Sequence, residues 1–457
     1  TLSVSQGAIL EVSYIGYLSM EVPVQNREIL NIALKEDTQR LDEVVVVGFG
    51  TQKKINLTGS VSSVSAKELE ERPQPNVQNM IQGKIPGLQI VSNSAQPGRH
   101  SGNITIRGKG SFGASSDPLI LVDGIIGSLS ALAPDDIESI SVLKDAASAA
   151  IYGARAANGV ILVTTKKGKS GKAQVSYSFN YGWQQATSLS DQVWESATYM
   201  KMYNQAIMTR NPNATPEYSV ERIERTNNPN YPSFVYPAND WYKILFKDYS
   251  INHHMGLNIR GGSRVIQYYA SLNYIRDEGM LKTEKLNQFD CNVKNNTMTF
   301  RANLNIDLSA GIRLLLSSSA SLDKYHGPLQ NVQDIYYQAF TASPVNFAVI
   351  YPADETYNWP HIRFGMSAAG GNNPYMNLHK GYMDRSRYSA TVRAEYIQNL
   401  SQLLKGLEVR ASVSLNRTGY YTTPFQTKPF LYRLDSYDFE TGKHKLNVLS
   451  AVPAFNG

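Results

Sequence analysis

Cysteine is nearly absent, with Cys291 alone in 457 residues. A single thiol closes no internal disulfide, and Cys291 has no His or Cys neighbours at zinc-site spacing, so neither a disulfide framework nor a zinc module is expected. No run of about 18 apolar residues exists, which excludes a transmembrane helix but leaves open a β-barrel, the other structure that satisfies its backbone in lipid. The opening Thr1-Leu2-Ser3-Val4 lacks a charged and then apolar leader, so no signal peptide is read in this numbering. A dense basic run is missing as well. The 44 Lys and Arg are dispersed against 38 Asp and Glu, for a net charge of +6, and nucleic-acid binding is not expected. Catalytic signatures are also lacking: there is no H-E-x-x-H, G-x-S-x-G or Walker lysine, and no carboxylate pair stands out, so neither an enzyme nor a cofactor is expected. His253 and His254 are adjacent on a strand and point to opposite faces, which rules them out as joint ligands, and no metal site is expected.

What is present describes a folded, tyrosine-rich chain. Hydrophobic residues make up 42% and charged residues 18%, and the length suits about three domains. The 28 tyrosines outnumber 14 Phe and 4 Trp, which fits a carbohydrate-binding β protein or a barrel with aromatic girdles.

Four segments follow one another. Residues 1–40 read as β, with Leu10, Val12 and Tyr14, then Leu30, Ile32 and Leu34, alternating with small or polar residues; two or three strands bury no core alone, so this segment reads as the tail of a small β-sandwich. Residues 41–54 contain Leu41-Asp42-Glu43-Val44-Val45-Val46-Val47-Gly48. Four β-branched residues in a row stiffen χ1 and favour an extended backbone. They make either an ordinary buried strand or a tethered, unpaired strand able to join a partner's sheet edge. Residues 55–168 turn mixed α/β: Asp145 is placed to cap a helix over Ala146–Tyr152 that Gly153 ends, and Gly159–Thr165 is a strand. Gly108, Gly110 and Gly113 match a dinucleotide-loop spacing, but the strand Leu119–Val122 follows them where a phosphate cradle needs a helix.

From residue 172 the period becomes two. Apolar and polar residues alternate over Val175–Trp183, Ile251–Ile259, Ile266–Tyr274, Phe300–Leu308, Ile312–Leu322, Tyr388–Tyr396 and Leu407–Leu415, seven strands in all. Each is near the ~9 to 11 residues of a tilted membrane strand. Alternation by itself also fits a soluble antiparallel sandwich. The connections decide between them, running long (184–250), short (261–263), long (277–297), short (309–311), long (324–386) and short (399–405), as in barrels with short periplasmic turns and long outer loops. This rhythm puts the start of the first strand on the periplasmic side.

Several stretches together resemble one family, the TonB-dependent outer-membrane transporters in their SusC/RagA-like branch. They are LDEVVVVGFGTQKK (41–54), LTGSV (57–61), GKIPG (83–87), TIRGKG (105–110), PLILVDG (118–124) and DDIESISVLKDAASAAIYGARAANGVILVTTKKG (135–168). The resemblance implies the following arrangement. Residues 1–40 are the end of a carboxypeptidase-regulatory-like domain, and Asp42, Glu43, Val44, Val45, Val46, Val47 and Gly48 are the TonB box. Residues 55–168 form the plug, and 172–457 the first strands and long loops of a barrel. Phe49 stands where the family usually has Tyr.

The fold expected is therefore mainly β, a mixed α/β plug followed by antiparallel strands of an incomplete barrel of about 22 strands when complete. The chain is expected to be part of a longer protein. The implied function is import of an oligosaccharide across the bacterial outer membrane, powered by TonB with ExbB and ExbD and assisted by a SusD-like surface lipoprotein. Peptide or metal-chelate cargo, and a receptor or truncated fragment that does not transport, stay open as alternatives. Trp194, Trp241 and Trp359 lie in the long loops and are the candidate cargo-stacking residues.

Overall fold

The computed structural model describes residues 9–12, 20–23, 32, 44–47, 50–53, 61–70, 76–92, 94, 96–99, 102–110, 115–187, 193, 195–284, 289–367 and 373–450. The chain divides into two units, Thr1–Asn93 with Ser101–Lys166, and Ser94–His100 with Lys167–Gly457.

Among the described residues the first unit contains eleven strands: β1 (Ile9–Val12), β2 (Met20–Pro23), β3 (Val44–Val47), β4 (Gly50–Lys53), β5 (Val61–Ser65), β6 (Leu88–Ser92), β7 (Gly102–Ile106), β8 (Leu119–Val122), β9 (Ile125–Ile126), β10 (Ile137–Leu143) and β11 (Val160–Thr165). Only the β1–β2 hairpin and Ile32 are described within residues 1–40; the alternation expected at Leu30 and Leu34 lies outside the described residues. The main sheet has the order β5-β10-β11-β8-β9, with β11 parallel to β8 and antiparallel to β10. Its central strand explains the run Val160-Ile161-Leu162-Val163. Ile161 and Val163 enter one core with Ile81, Ile137, Ile140 and Val142, while Val160 and Leu162 enter another with Leu121 and Leu143. A strand covered on both faces needs no polar alternation. The hairpin β6–β7 adds Leu88, Ile90, Ile104 and Ile106 to the first core.

One turn is dictated locally. Asp123 (φ 50°) and Gly124 (φ 83°) form the left-handed pair that a tight hairpin needs between β8 and β9. The Asp123 carboxylate then accepts from the Thr165 amide at 3.0 Å and its hydroxyl at 2.6 Å, tying the turn to the end of β11. The expected Ala146–Tyr152 helix is shorter than the composition implies. It runs over Ala146–Ala149 and gives way to a 3₁₀ stretch, Ala150–Ala156, broken at Gly153 with φ 66°. Asp145 makes no side-chain cap; its carboxylate meets Arg107 at 2.9 Å instead. A half-exposed pair of this kind is worth about 0–1 kcal/mol, against about 1.5–3 kcal/mol for each buried Ile, Leu or Val. The apolar layers therefore hold this unit.

The second unit is built on one meander of seven strands: β12 (Gly171–Gln184), β13 (Ser250–Gly262), β14 (Ile266–Glu278), β15 (Lys294–Ser309), β16 (Ile312–Pro328), then, after the short β17 (Arg363–Gly365), β18 (Gly381–Asn399) and β19 (Glu408–Gln426). Every neighbouring pair in it is antiparallel. Directly opposed residues share a face, so the ladders can be followed across the sheet. Tyr177 faces Leu257, then Leu272, Phe300 and Ala320; Val175 faces Ile259, then Ala270 and Ala302. Leu257, Leu272, Phe300, Val175 and Tyr177 are all exposed. The other face reads Ser176, Asn258, Ser271, Arg301, Ser319 and Thr391 across the same strands. An exposed apolar face in register across all seven strands is the pattern of a lipid-facing barrel wall, here an open sector of one.

The strands run 13 to 19 residues, longer than the membrane requires. The short connections are 263–265, 310–311 and 400–407, and the long ones 185–249, 279–293 and 329–380. The rhythm read from sequence is thus observed, with β14, β15, β16 and β18 extended at the long-loop end. Alternation does not reveal these extensions, because there the strands carry polar residues on both faces. Two further strands, β20 (Phe430–Tyr437) and β21 (His444–Ser450), join β17 in a separate three-stranded sheet that was not anticipated.

Candidate functional site

Two features carry chemistry of interest, one in each unit. In the first, the valine run is extended, as its β-branching requires. It is not unpaired, however: β3 lies antiparallel to β4, with Val44 opposite Lys53 and Val47 opposite Gly50. Closing so short a hairpin costs little loop entropy, so the free strand finds its nearest partner in its own continuation. Among the described residues β3 pairs with β4 alone. Asp42, Glu43 and Gly48 lie outside the described residues.

In the second unit the three long loops share one apolar core. Trp241 and Leu245 from the first loop pack with Leu281, Cys291 and Val293 from the second and with Ile335, Phe347, Phe364, Tyr375 and Leu378 from the third. Trp241 belongs to this core: it is 0% exposed, its ring lies 5.7 Å from that of Phe347, and its Nε1 donates to the Ser343 carbonyl at 3.1 Å. The helix Trp241–Leu245 turns it inward, started by Asp240, whose carboxylate accepts from the Lys243 amide. Trp241 therefore presents no face to a cargo in this conformation, contrary to the sequence expectation. Trp194 lies outside the described residues. Cys291 is buried here too, and burial pushes its thiol up to about 12, so it stays protonated and unreactive.

Trp359 differs. It is 49% exposed, with Tyr357 edge-on at 5.7 Å and His361 at 5.5 Å. The turn that displays it wraps one buried cation. Arg363 donates to the carbonyls of Tyr357 at 2.7 Å, Trp359 at 2.8 Å and His361 at 3.3 Å. Asp354 fastens the same turn by accepting from the amides of Thr356 at 3.1 Å and of Leu446 in β21 at 2.8 Å.

Beside this core opens a cavity of about 780 Å³. Its wall includes Asn227, Asn228, Tyr231, Phe234, Tyr236 and Asn239 from the first loop, Glu284 from the second, and Ala348, Val349, Ile350 and Tyr375 from the third. The Tyr375 hydroxyl donates to Glu284 Oε2 at 2.9 Å. Burial first, and the carboxylate second, raise the tyrosine above its ordinary range, so it remains a donor. The first-loop rings are braced from behind: Tyr231 meets Tyr236 edge-on at 5.6 Å, and the Arg225 guanidinium sits 4.9 Å from the Tyr231 ring centre. The sequence offered only the close spacing of Tyr231, Phe234 and Tyr236 as a clue to this wall. Glu284 and Tyr375 join it from well beyond the first loop, and from 91 residues apart, which no local pattern reveals.

Comparisons with known proteins agree with this architecture. Residues 53–160 match the TonB-dependent receptor plug domain. The TonB-dependent receptor SusC of Bacteroides thetaiotaomicron is 37% identical over 322 residues, covering 68% of this chain and 30% of that protein. The TonB-dependent receptor P26 of Formosa agariphila is 36% identical over 366 residues, covering 78% of this chain and 34% of that protein. Among solved structures, the RagAB peptide importer in its open-open state matches 85% of this chain and 44% of its own with a TM-score of 0.64; at 24% identity this shows the fold. The chain spans about a third of the length of these curated relatives. With a plug domain, an antiparallel wall turned apolar side out and long loops at one end, the chain belongs to the SusC-like TonB-dependent receptors of the outer membrane.

Proposed function

We propose that the protein imports oligosaccharides across the bacterial outer membrane by a TonB-dependent mechanism. The observation that carries this reading is the meander itself: seven strands in register, one face apolar and exposed, with short turns at one end and long, packed loops at the other. On this reading the short turns face the periplasm and the long loops the cell exterior, as is usual for such barrels. In this arrangement residues 1–40 are the end of a carboxypeptidase-regulatory-like domain, 41–54 the TonB box and linker, 55–168 the plug, and 172–457 the start of the barrel.

The outer membrane holds no nucleotide pool and no ion gradient of its own, so work must arrive mechanically. Val44–Val47 supplies the handle. A strand ladder pulled along its length resists through several backbone hydrogen bonds together and asks little of side-chain identity. TonB, energised by ExbB and ExbD, either adds to the edge of β3 that β4 leaves open or displaces β4. Pulling then remodels the plug. A SusD-like surface lipoprotein closes over the cargo held by the outer loops, where Trp359 offers a preset stacking face.

Val45→Pro removes a ladder donor from this strand. Uptake by the intact transporter is expected to vanish while cargo binding persists, and unchanged uptake would sink the coupling role. A peptide cargo is the second reading, favoured by the likeness to the RagAB peptide importer. Titration calorimetry of the intact transporter with its lid against glycan and peptide panels separates the two.

A further inference from the structure

We infer that the cavity walled by the three outer loops binds an uncharged, hydroxyl-rich ligand, an oligosaccharide segment without acidic groups, and that Glu284 makes it discriminate against anions; this rests on the importing role proposed above. The volume of about 780 Å³ lies within the range of about 300–1,000 Å³ typical of small-ligand sites. It is framed by one contiguous apolar core rather than by separate loops, so its wall is assembled before any ligand arrives. Preformed walls spend less binding energy on ordering.

The chemistry of the wall selects the ligand class. Three primary amides, Asn227, Asn228 and Asn239, and three phenols, Tyr231, Tyr236 and Tyr375, line it. Amide and phenol side chains each both donate and accept, as sugar hydroxyls do. The braced rings of Tyr231 and Tyr236 supply flat apolar faces for the C–H side of a pyranose. A peptide bound by strand addition needs a free sheet edge, and no strand lies in the first-loop portion of this wall, residues 227–239; peptides bound in other ways are an arm of the test.

Charge narrows the class further. Among the described lining residues Glu284 is the one charged side chain. Its Oε2 accepts from Tyr375, leaving the carboxylate at the cavity wall. Arg225, behind the rings, is offset by an ion pair with Glu221. A uronate or other anionic group entering here meets a like charge, and like-charge juxtaposition across a binding interface is unfavourable.

The test is titration calorimetry of the intact protein with neutral gluco-, manno- and xylo-hexasaccharides, hexagalacturonate, and neutral and lysine-bearing hexapeptides. At least one neutral hexasaccharide is expected to bind, with hexagalacturonate weaker by about tenfold or more. Glu284→Gln, a change at an exposed residue that should leave thermal unfolding in place, is expected to close most of that gap. Tyr231→Leu is expected to weaken the neutral sugar by about tenfold, the scale of one lost stacking contact. The inference is overturned if no neutral sugar binds, if hexagalacturonate binds the wild type as tightly as a neutral sugar, if either peptide binds tighter than every sugar, or if Glu284→Gln leaves the discrimination intact. Failure of the underlying reading is separable: uptake indifferent to Val45→Pro overturns import whatever the cavity binds, whereas coupled uptake with an inert cavity overturns this inference alone.

Discussion

Replacing Leu272 by arginine asks whether the apolar face of the meander meets lipid or water. Leu272 is 40% exposed and lies between Leu257 and Phe300 across the ladder. On the same face of β14, Tyr268 and Tyr274 bracket it, so at about 3.3 Å per residue it sits within the band that aromatic girdles flank. An arginine near the middle of such a band costs about 2–4 kcal/mol, falling to about 0–1 near the interface. The first figure corresponds to a roughly 30- to 700-fold shift in the folding equilibrium, since a factor of ten is about 1.4 kcal/mol. Ile266→Arg is the control. It lies on the same face of the same strand, is 44% exposed, and adjoins the short turn. Equilibrium unfolding of the intact protein in phosphatidylcholine vesicles should therefore rank Leu272→Arg well below Ile266→Arg. In water both leucine and isoleucine positions are surface sites, where such substitutions change stability by about 0.5 kcal/mol or less. Equal and small effects would refute the membrane reading of the meander and restore a soluble sandwich.

The remaining predictions concern the outer loops. Arg363→Lys cannot reproduce a fork that reaches three carbonyls. It should cost about 1–3 kcal/mol in loop stability and raise the mobility of Trp359, read by fluorescence anisotropy in a background where the chain's other three tryptophans, Trp183, Trp194 and Trp241, are replaced by Phe; unchanged anisotropy would show that the turn holds itself. His379 is 2% exposed, and burial lowers it from the usual 6.5. Its neutral form is favoured by folding, so its contribution is complete above the unfolded value and declines as pH falls below about 6.5. Hydrogen exchange in Pro374–His379 should accelerate between pH 7.5 and 5, and His379→Gln should flatten that dependence; a flat wild-type profile would exclude His379 as the cause.

The parts of this architecture legible in sequence are those set by nearest-neighbour chemistry. A period of two states which residues share a face, so the seven wall strands could be placed from Val175 to Leu415. The Asp123-Gly124 pair announces a left-handed hairpin turn, and four consecutive valines announce an extended backbone. Where such rules compete with tertiary partners they fail. Asp145 has the spacing of a helix cap, yet Arg107, brought close by β7, takes its carboxylate. The valine strand reads equally as buried or as unpaired, and the pairing it has, with Gly50–Lys53 directly after it in the chain, is not visible in its own residues. The continuation of β19 past Leu415 hides from a period-two rule because it carries polar residues on both faces, whereas β20 and β21 each have one apolar face, Phe430, Tyr432 and Leu434 against Leu446 and Val448, whose core with Ala348 and Tyr351 only the fold assembles.

The cargo residues show the limit most sharply. A loop tryptophan has the same local sequence signature whether it is buried or displayed. Trp241 became core because Phe347 and the Ser343 carbonyl, a hundred residues away, receive its ring and its N–H; Trp359 stays outside because Arg363 gathers the carbonyls beneath it. Sequence by itself determined the wall, the plug and the extended backbone of the valine run, since strand propensity, alternation and turn chemistry act over a few residues. Only the tertiary structure decided which loop side chains share a cavity, because Asn227, Glu284 and Tyr375 meet there through packing between segments that no short-range rule connects.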